Sequence, residues 1–208
     1  MTPTLPVYAL NRLRMGTDGA GVTTLAGCLG CPLDCPMCIN PEAKRRDTPV
    51  RRLTVEELVE KLSIDSLYFA ATGGGVTFGG GEPLIHAPFL AAFGAAKPED
   101  WRMNVETSLN VPEEALRTVL PFADCLIVDV KDMNPKIYRA YTGRDAAPVR
   151  ANLSLLAETC PDRVHLRVPL IPGYNGPDDG DRSERILRRM GFSRIERFGY
   201  VTRSAIRP

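Results

Sequence analysis

Short apolar runs alternate with amphipathic stretches from one end of the chain to the other, the pattern of βα units around a parallel sheet. About six strands are predicted, at residues 22–27 (VTTLAG), 75–80 (GVTFGG), 103–109 (MNVETSL), 125–131 (CLIVDVK), 164–171 (VHLRVPLI) and 195–201 (IERFGYV). Helical patterns lie between them, at 87–96, 112–120, 135–141, 149–159 and 181–190, and in TVEELVEKL from Thr54, where a carboxylate three residues on resembles a capping box. Pro112 and Pro135 suit first-turn positions, where a missing N–H costs nothing. Six or so units are too few to close an eight-stranded barrel. The expectation is therefore an open or partial α/β barrel, with its site at the carboxyl ends of the strands. The stretch PGYNGPDDGD at 172–181 reads as a loop, and no internal repeat or low-complexity segment is visible.

At 208 residues the chain has room for one domain, 1–208, with a sizeable core. Lys plus Arg number 26 against 25 for Asp plus Glu, without a block of one sign, so the charge pattern suggests neither a nucleic-acid track nor a membrane anchor. No apolar run approaches the length that spans a bilayer, and MTPTLPVYALNRLRMG lacks the basic end and apolar stretch of a signal peptide. The expected location is the cytoplasm. In that reducing compartment, Cys28, Cys31, Cys35 and Cys38 close together suggest metal rather than disulfides. Cys125 and Cys160 each stand alone and read as packing residues.

The segment GCLGCPLDCPMCINPE follows the first predicted strand, which puts its thiols on a loop at the top of the sheet. Thiolate is the soft ligand of iron-sulfur clusters, and C-x3-C-x2-C can wrap three corners of a cubane, leaving one iron to bind and activate a small molecule. The same run also reads as C-x2-C-x3-C-x2-C, four ligands with Cys28 included. Zinc is a further reading, although a structural zinc site draws on two separated knuckles and no second pair is present. Farther along, Asp129 and Lys131 flank Val130 and share a strand face, where two ionisable groups are costly to bury unless they pair with each other or bind something charged.

The run CPLDCPMCINP, followed by GGGVTFGGGEPL, resembles the radical S-adenosylmethionine (SAM) superfamily, and within it the glycyl-radical enzyme activating enzymes such as pyruvate formate-lyase activating enzyme. TDGAGVTTL ahead of the cysteines resembles that family's lead-in, and VETSLN, DVKDMNP, YTG and RVPLIPGYN follow in its order. The resemblance implies a partial (βα)6 radical SAM barrel and a [4Fe-4S] cluster on Cys31, Cys35 and Cys38, with SAM on the open iron. It implies that Gly79, Gly80, Gly81 and Glu82, with Pro83, approach the SAM amino group, and that Met37 packs over the cluster or the adenine. Thr107, Asp129, Lys131 and Arg167 are implied SAM contacts. Glu106, Thr107 and Asp129 would bound a monovalent cation, although the family more often has Asp where Glu106 stands. His86 and His165 fall in no motif and read as structural or exposed.

The resemblance further implies reductive cleavage of SAM to a 5′-deoxyadenosyl radical, an electron from flavodoxin or ferredoxin, and a glycyl-radical enzyme as protein substrate. A radical SAM enzyme acting on a small molecule or peptide is a second reading. A four-Cys electron carrier or sensor without SAM is a third. The last strand departs from the family, with Thr202 roughly where a SAM-contacting His is expected.

Overall fold

The structure, a computed structural model, describes residues 3–200. Among the described residues eight strands form an open sheet, β1 Leu5–Met15, β2 Val22–Cys28, β3 Arg51–Leu53, β4 Gly75–Gly80, β5 Arg102–Thr107, β6 Cys125–Asp129, β7 Val164–Leu170 and β8 Ile195–Gly199. The described α-helices are α1 Val55–Leu62, α2 Ser66–Thr72, α3 Ala87–Ala96, α4 Glu113–Val119, α5 Pro135–Thr142, α6 Ala147–Thr159 and α7 Pro177–Arg189. The chain packs as two compact units. Among the described residues the first comprises 3–32, 40–107 and 111–127, and the second 33–39, 108–110 and 128–200.

The strand order in the first unit is β3-β1-β2-β4-β5-β6, and in the second β6-β7-β8, with β6 passing from one unit to the other after Ile127. β2 pairs parallel with β4, β4 with β5, and β7 with β8. The six expected strands are all present, and the order β2-β4-β5-β6-β7-β8 follows the sequence, as βα units require. Two strands come in addition. β1 runs antiparallel to both β2 and β3. Its apolar alternation is broken by irregularities between Val7 and Ala9 and between Asn11 and Arg14, and Leu13 has a φ of 56°. Each bulge shifts the side-chain period by one, which hides the strand in the sequence. β3, at three residues, is too short to show a period.

The core of the first unit is aromatic. Phe78 of β4 meets Phe93 of α3 edge-on at 5.0 Å between ring centres, and Phe69 of α2 meets Trp101 at 5.2 Å. α2 has no amphipathic stripe to betray it, since it buries Phe69 and leaves Leu67 and Tyr68 exposed; Gly73, in the left-handed conformation, ends it. In the second unit α7 starts at Pro177, earlier than expected. Proline at the first helical position and the Gly176 N–H donating to Asp179 Oδ2 at 3.1 Å turn the end of the supposed loop into a first helical turn. Pro112 caps α4 rather than entering its first turn, whereas Pro135 opens α5 as expected.

The capping box at Thr54 is present. The Glu57 N–H donates to Thr54 Oγ1 at 3.3 Å and the Thr54 N–H to Glu57 Oε2 at 2.8 Å. Thr54→Ala leaves the Glu57 N–H without its side-chain acceptor and is expected to lower stability by about 1 kcal/mol. A urea titration of the two proteins reads the difference as a lower midpoint at unchanged slope.

Candidate active site

In the first unit, the end of β4 lies against the start of the cysteine loop. The Gly81 N–H donates to Cys28 O at 3.0 Å and the Glu82 N–H to Gly30 O at 2.8 Å. A Cβ on Gly81 would stand 2.2 Å from Gly30 O and 2.6 Å from Cys28 O, so no side chain fits. Gly80 has a φ of +83°, and a Cβ there would meet the Tyr8 hydroxyl at 2.4 Å; one on Gly79 would meet Glu106 Oε2 at 2.7 Å. Close backbone approach thus requires glycine at 81 and the left-handed conformation favours it at 80, whereas Gly79 is crowded only by side chains. Glu82 is 1% exposed. Its Oε1 accepts from the Thr107 hydroxyl at 2.7 Å and from the Leu84 N–H at 3.3 Å, which ties β5 to the turn after β4.

His86, which falls in no motif, belongs to this clamp. Its Nε2 lies 2.8 Å from Leu29 O, and since a carbonyl only accepts, Nε2 carries the proton. Burial holds the ring below its usual pKa against the opposing effect of that bond, and Arg52 adds to the lowering, so the donor is a neutral imidazole.

In the second unit, Asp129 at the end of β6 lies between two cations. Lys131 Nζ donates to Asp129 Oδ2 at 3.0 Å and Arg167 Nε to Oδ1 at 2.7 Å. Burial would raise the Asp129 pKa, but Lys131 and Arg167 outweigh it and hold the carboxyl below its ordinary value. Lys131 also donates to the Tyr200 hydroxyl at 3.1 Å. Burial disfavours its charge, yet Asp129, Tyr200 and Cys35 together hold its pKa well above the usual value. Asp132, next along the loop, accepts from Asn175 Nδ2 at 3.0 Å, while Asn175 Oδ1 accepts from the Ile171 N–H at 2.6 Å. That link fixes the carboxyl ends of β6 and β7 together. Burial raises the Asp132 pKa, opposed by those bonds.

The cysteines fall in contrasting surroundings. Cys28 ends β2 in the first unit with 0% exposure; burial pushes its thiol up to about 12, against a backbone hydrogen bond from Gly79. Cys31 is half-buried in the same unit, whereas Cys35 and Cys38 belong to the second. The Asp34 N–H donates to Thr142 O at 2.9 Å and so seats Cys35 beside the end of α5. All six cysteines are thiols rather than disulfide halves. Among the described residues no group of three or more His, Cys, Asp or Glu side chains comes together to hold a metal ion, so Cys31, Cys35 and Cys38 are not gathered into one. Their chemistry nonetheless fits an iron-sulfur cluster, since the loop offers three soft donors and Cys35 lies within electrostatic reach of Lys131. Thr202 lies outside the described residues.

The sequence pattern of the radical SAM superfamily matches residues 27–181, from the cysteine loop into α7. The chain belongs to the radical SAM superfamily. Among its curated relatives are the (2S)-3-sulfopropanediol dehydratase activating enzyme of Klebsiella oxytoca, 39% identical over 127 residues, which cover 60% of this chain and 39% of that one. The pyruvate formate-lyase-activating enzyme of Staphylococcus aureus is 31% identical over 178 residues, 80% of this chain and 68% of the relative. The match spans only about two fifths of the sulfopropanediol dehydratase and indoleacetate decarboxylase activating enzymes. Among solved structures, SuiB of Streptococcus suis bound to precursor peptide SuiA aligns with a TM-score of 0.65 at 12% identity, over 85% of this chain and 38% of that one. That likeness shows the fold alone.

Radical SAM membership implies a [4Fe-4S] cluster and SAM as cofactors. The expected monovalent cation near Glu106, Thr107 and Asp129 finds no support. The Asp129 carboxylate is already held by two cationic side chains and the Thr107 hydroxyl is directed at Glu82, so a metal ion would displace bonds that the radical SAM chain makes on its own. No helix among the described residues is long and apolar enough to cross a membrane.

Because the folded pKa of Asp129 lies below its unfolded value of about 3.9, its contribution to stability is present above that value and is lost as pH falls through the folded pKa. Asp129→Asn is therefore expected to lower stability at pH 6 and to flatten the fall in stability below about pH 4. Urea midpoints of the two chains from pH 6 to pH 2.5 should converge toward the acid end; parallel curves would show that the carboxylate gains nothing from its two neighbours.

Proposed function

We propose that this chain reductively cleaves SAM and uses the resulting radical to abstract hydrogen from a glycine of a partner enzyme. The observation that carries the reading is the array in the second unit, where Lys131 and Arg167 close on Asp129 and Lys131 is within electrostatic reach of Cys35. When bound, the reduced cluster and SAM supply the difficult chemistry, one electron breaking a carbon–sulfur bond to give methionine and a 5′-deoxyadenosyl radical.

The chain's own residues hold and orient. Cys31, Cys35 and Cys38 would be the cluster ligands. Cys28 would stay outside that set, since burial at the end of β2 disfavours the thiolate a metal needs. Arg167 presents a planar donor fork suited to a carboxylate or ribose, and Lys131 a point charge. Gly79, Gly80 and Gly81 leave backbone groups approachable at the strand end, where a side chain would block a ligand's amino group. Glu82 would act by holding that turn, given that its carboxylate is buried against Thr107 and Leu84. Thr107 anchors it. A flavodoxin or ferredoxin would bring the electron, and the activating enzymes among the relatives support a glycyl-radical enzyme as the partner.

The protein reconstituted anaerobically with iron and sulfide, then reduced, should convert SAM to 5′-deoxyadenosine measurable by mass spectrometry. Cys35→Ala should lower the yield by more than about 100-fold, beyond the loss caused by removing an outer partner of a metal site. Cys28→Ala should retain it. An intact, reducible cluster that yields no deoxyadenosine would sink the radical reading and leave the electron carrier or sensor in its place.

A further inference from the structure

The chain is almost neutral, net +1, yet its positive charge is not evenly spread. Between positions 44 and 52 stand Lys44, Arg45, Arg46, Arg51 and Arg52 against the single acid Asp47, so this short segment is strongly basic and the rest of the chain is net acidic. The sequence divides the bases into two runs, 44–46 and 51–52. The fold ties both runs to the same place in the first unit. Just ahead of the first run, Ala43 O accepts from the Gly30 N–H at 2.6 Å. The second run belongs to β3, where Arg51 and Arg52 stand opposite Val7 and Pro6 of β1, and Pro6 O accepts from the Leu29 N–H at 2.9 Å. Backbone bonds thus hold both runs to Leu29 and Gly30, the two residues that lead into Cys31.

The charge is presented to solvent. Arg45, Arg46, Arg51 and Arg52 are all exposed. Arg45 pairs with Asp47 at 2.8 Å, whereas among the described residues Arg46, Arg51 and Arg52 make no ion pair. β3 pairs with β1 only along Leu5, Pro6 and Val7. Where β3 stops and β1 runs on, an open groove is lined by the apolar Val7, Ala9, Leu10, Pro49 and Val50, with Arg51 among its walls. An apolar centre with a charged rim is the anatomy of a protein–protein interface.

We infer that this groove and its arginine rim dock the acidic face of the protein that delivers the electron. The inference rests on the cluster assignment above and names the surface that the donor uses. Charge complementarity selects an acidic partner, and the place selects the donor, since the surface adjoins the first of the proposed cluster ligands. A donor must meet the cluster at every turnover and then leave. Fields of opposite sign serve that need, because they speed encounter and fix orientation without demanding a tight complex. One electron leaves the donor's reduced flavin or iron-sulfur centre and enters the cluster; no bond forms or breaks.

The test is a calorimetric titration of the reconstituted protein with a purified acidic flavodoxin, at low salt and again at about 0.15 M, where charges are screened beyond about 8 Å. The affinity should fall as salt rises, and Arg51→Glu with Arg52→Glu should weaken it at low salt by about tenfold or more. Reduction of the cluster by flavodoxin should slow in step, while reduction by dithionite is unchanged. Arg185→Glu with Arg189→Glu, two exposed positions on α7, alters the net charge equally and should leave the affinity nearly as it was. An affinity that ignores salt or the β3 pair, or that both pairs weaken equally, overturns the inference and leaves the cluster assignment standing. Failure of the unsubstituted protein to load iron overturns both. Should the β3 pair resist reconstitution, Arg46→Glu, outside any strand, takes its place with the same expected and overturning results.

Discussion

Three backbone carbonyls at the mouth of the cysteine loop decide much of what surrounds them. Cys28 O and Gly30 O take N–H groups from Gly81 and Glu82, and Leu29 O takes the proton of His86, so three successive residues are held from the same stretch that follows β4. These bonds are possible only because Gly81 lacks a side chain; its Cβ would lie within 3 Å of two of those oxygens. Glu82 then completes the clamp from inside, its buried carboxylate joining the turn to β5 through Thr107. The start of the loop is rigid for reasons of backbone geometry, and the thiols that follow begin from a fixed point.

The second unit solves a different problem, how to keep charge in a place that is partly withdrawn from water. Asp129 and Lys131 are costly to bury singly. Together with Arg167 and the Tyr200 phenol they form a set in which each charge faces its opposite or a polar group, and the pKa values of Asp129 and Lys131 both move toward the ionised form. The arrangement carries one more cationic side chain than acidic ones, and the negative charge of Cys35 acts on Lys131. A cluster ligand and the polar end of an amino acid would both find favourable charge here without any group changing its protonation state.

What could be read from the sequence was what has a period or an ordered motif. β4 and α3 have their expected bounds, the capping box at Thr54 is as written, and the cysteine, glycine and DVK motifs fall at strand ends as expected of βα units. β1 escaped because two bulges break its alternation, and α2 because it buries Phe69 on one side while Leu67 and Tyr68 face solvent. The roles of His86 and Asp132 were not legible for another reason. Each depends on a partner far along the chain, Leu29 or Asn175, and no local pattern marks such a pairing. Glu82 shows the reverse, a motif residue whose presence was plain but whose carboxylate turns inward.

Cys28 and Cys35 show why spacing alone leaves the ligand count open. In the sequence they are equivalent members of one cysteine run. In the structure Cys28 sits at a strand end with its thiol 3.5 Å from Ala26 O and its charge disfavoured by burial and by Glu82, so a thiolate there would be unpaired. Cys35 is nearly as buried, yet it lies within electrostatic reach of the Lys131 ammonium, a charge of the opposite sign to a thiolate. Burial is common to both, so the difference lies in the sign of the surroundings. A chain that needed four thiolates would have little reason to put one of them beside a buried carboxylate, while a chain that needs an open iron gains from a first cysteine that stays a thiol.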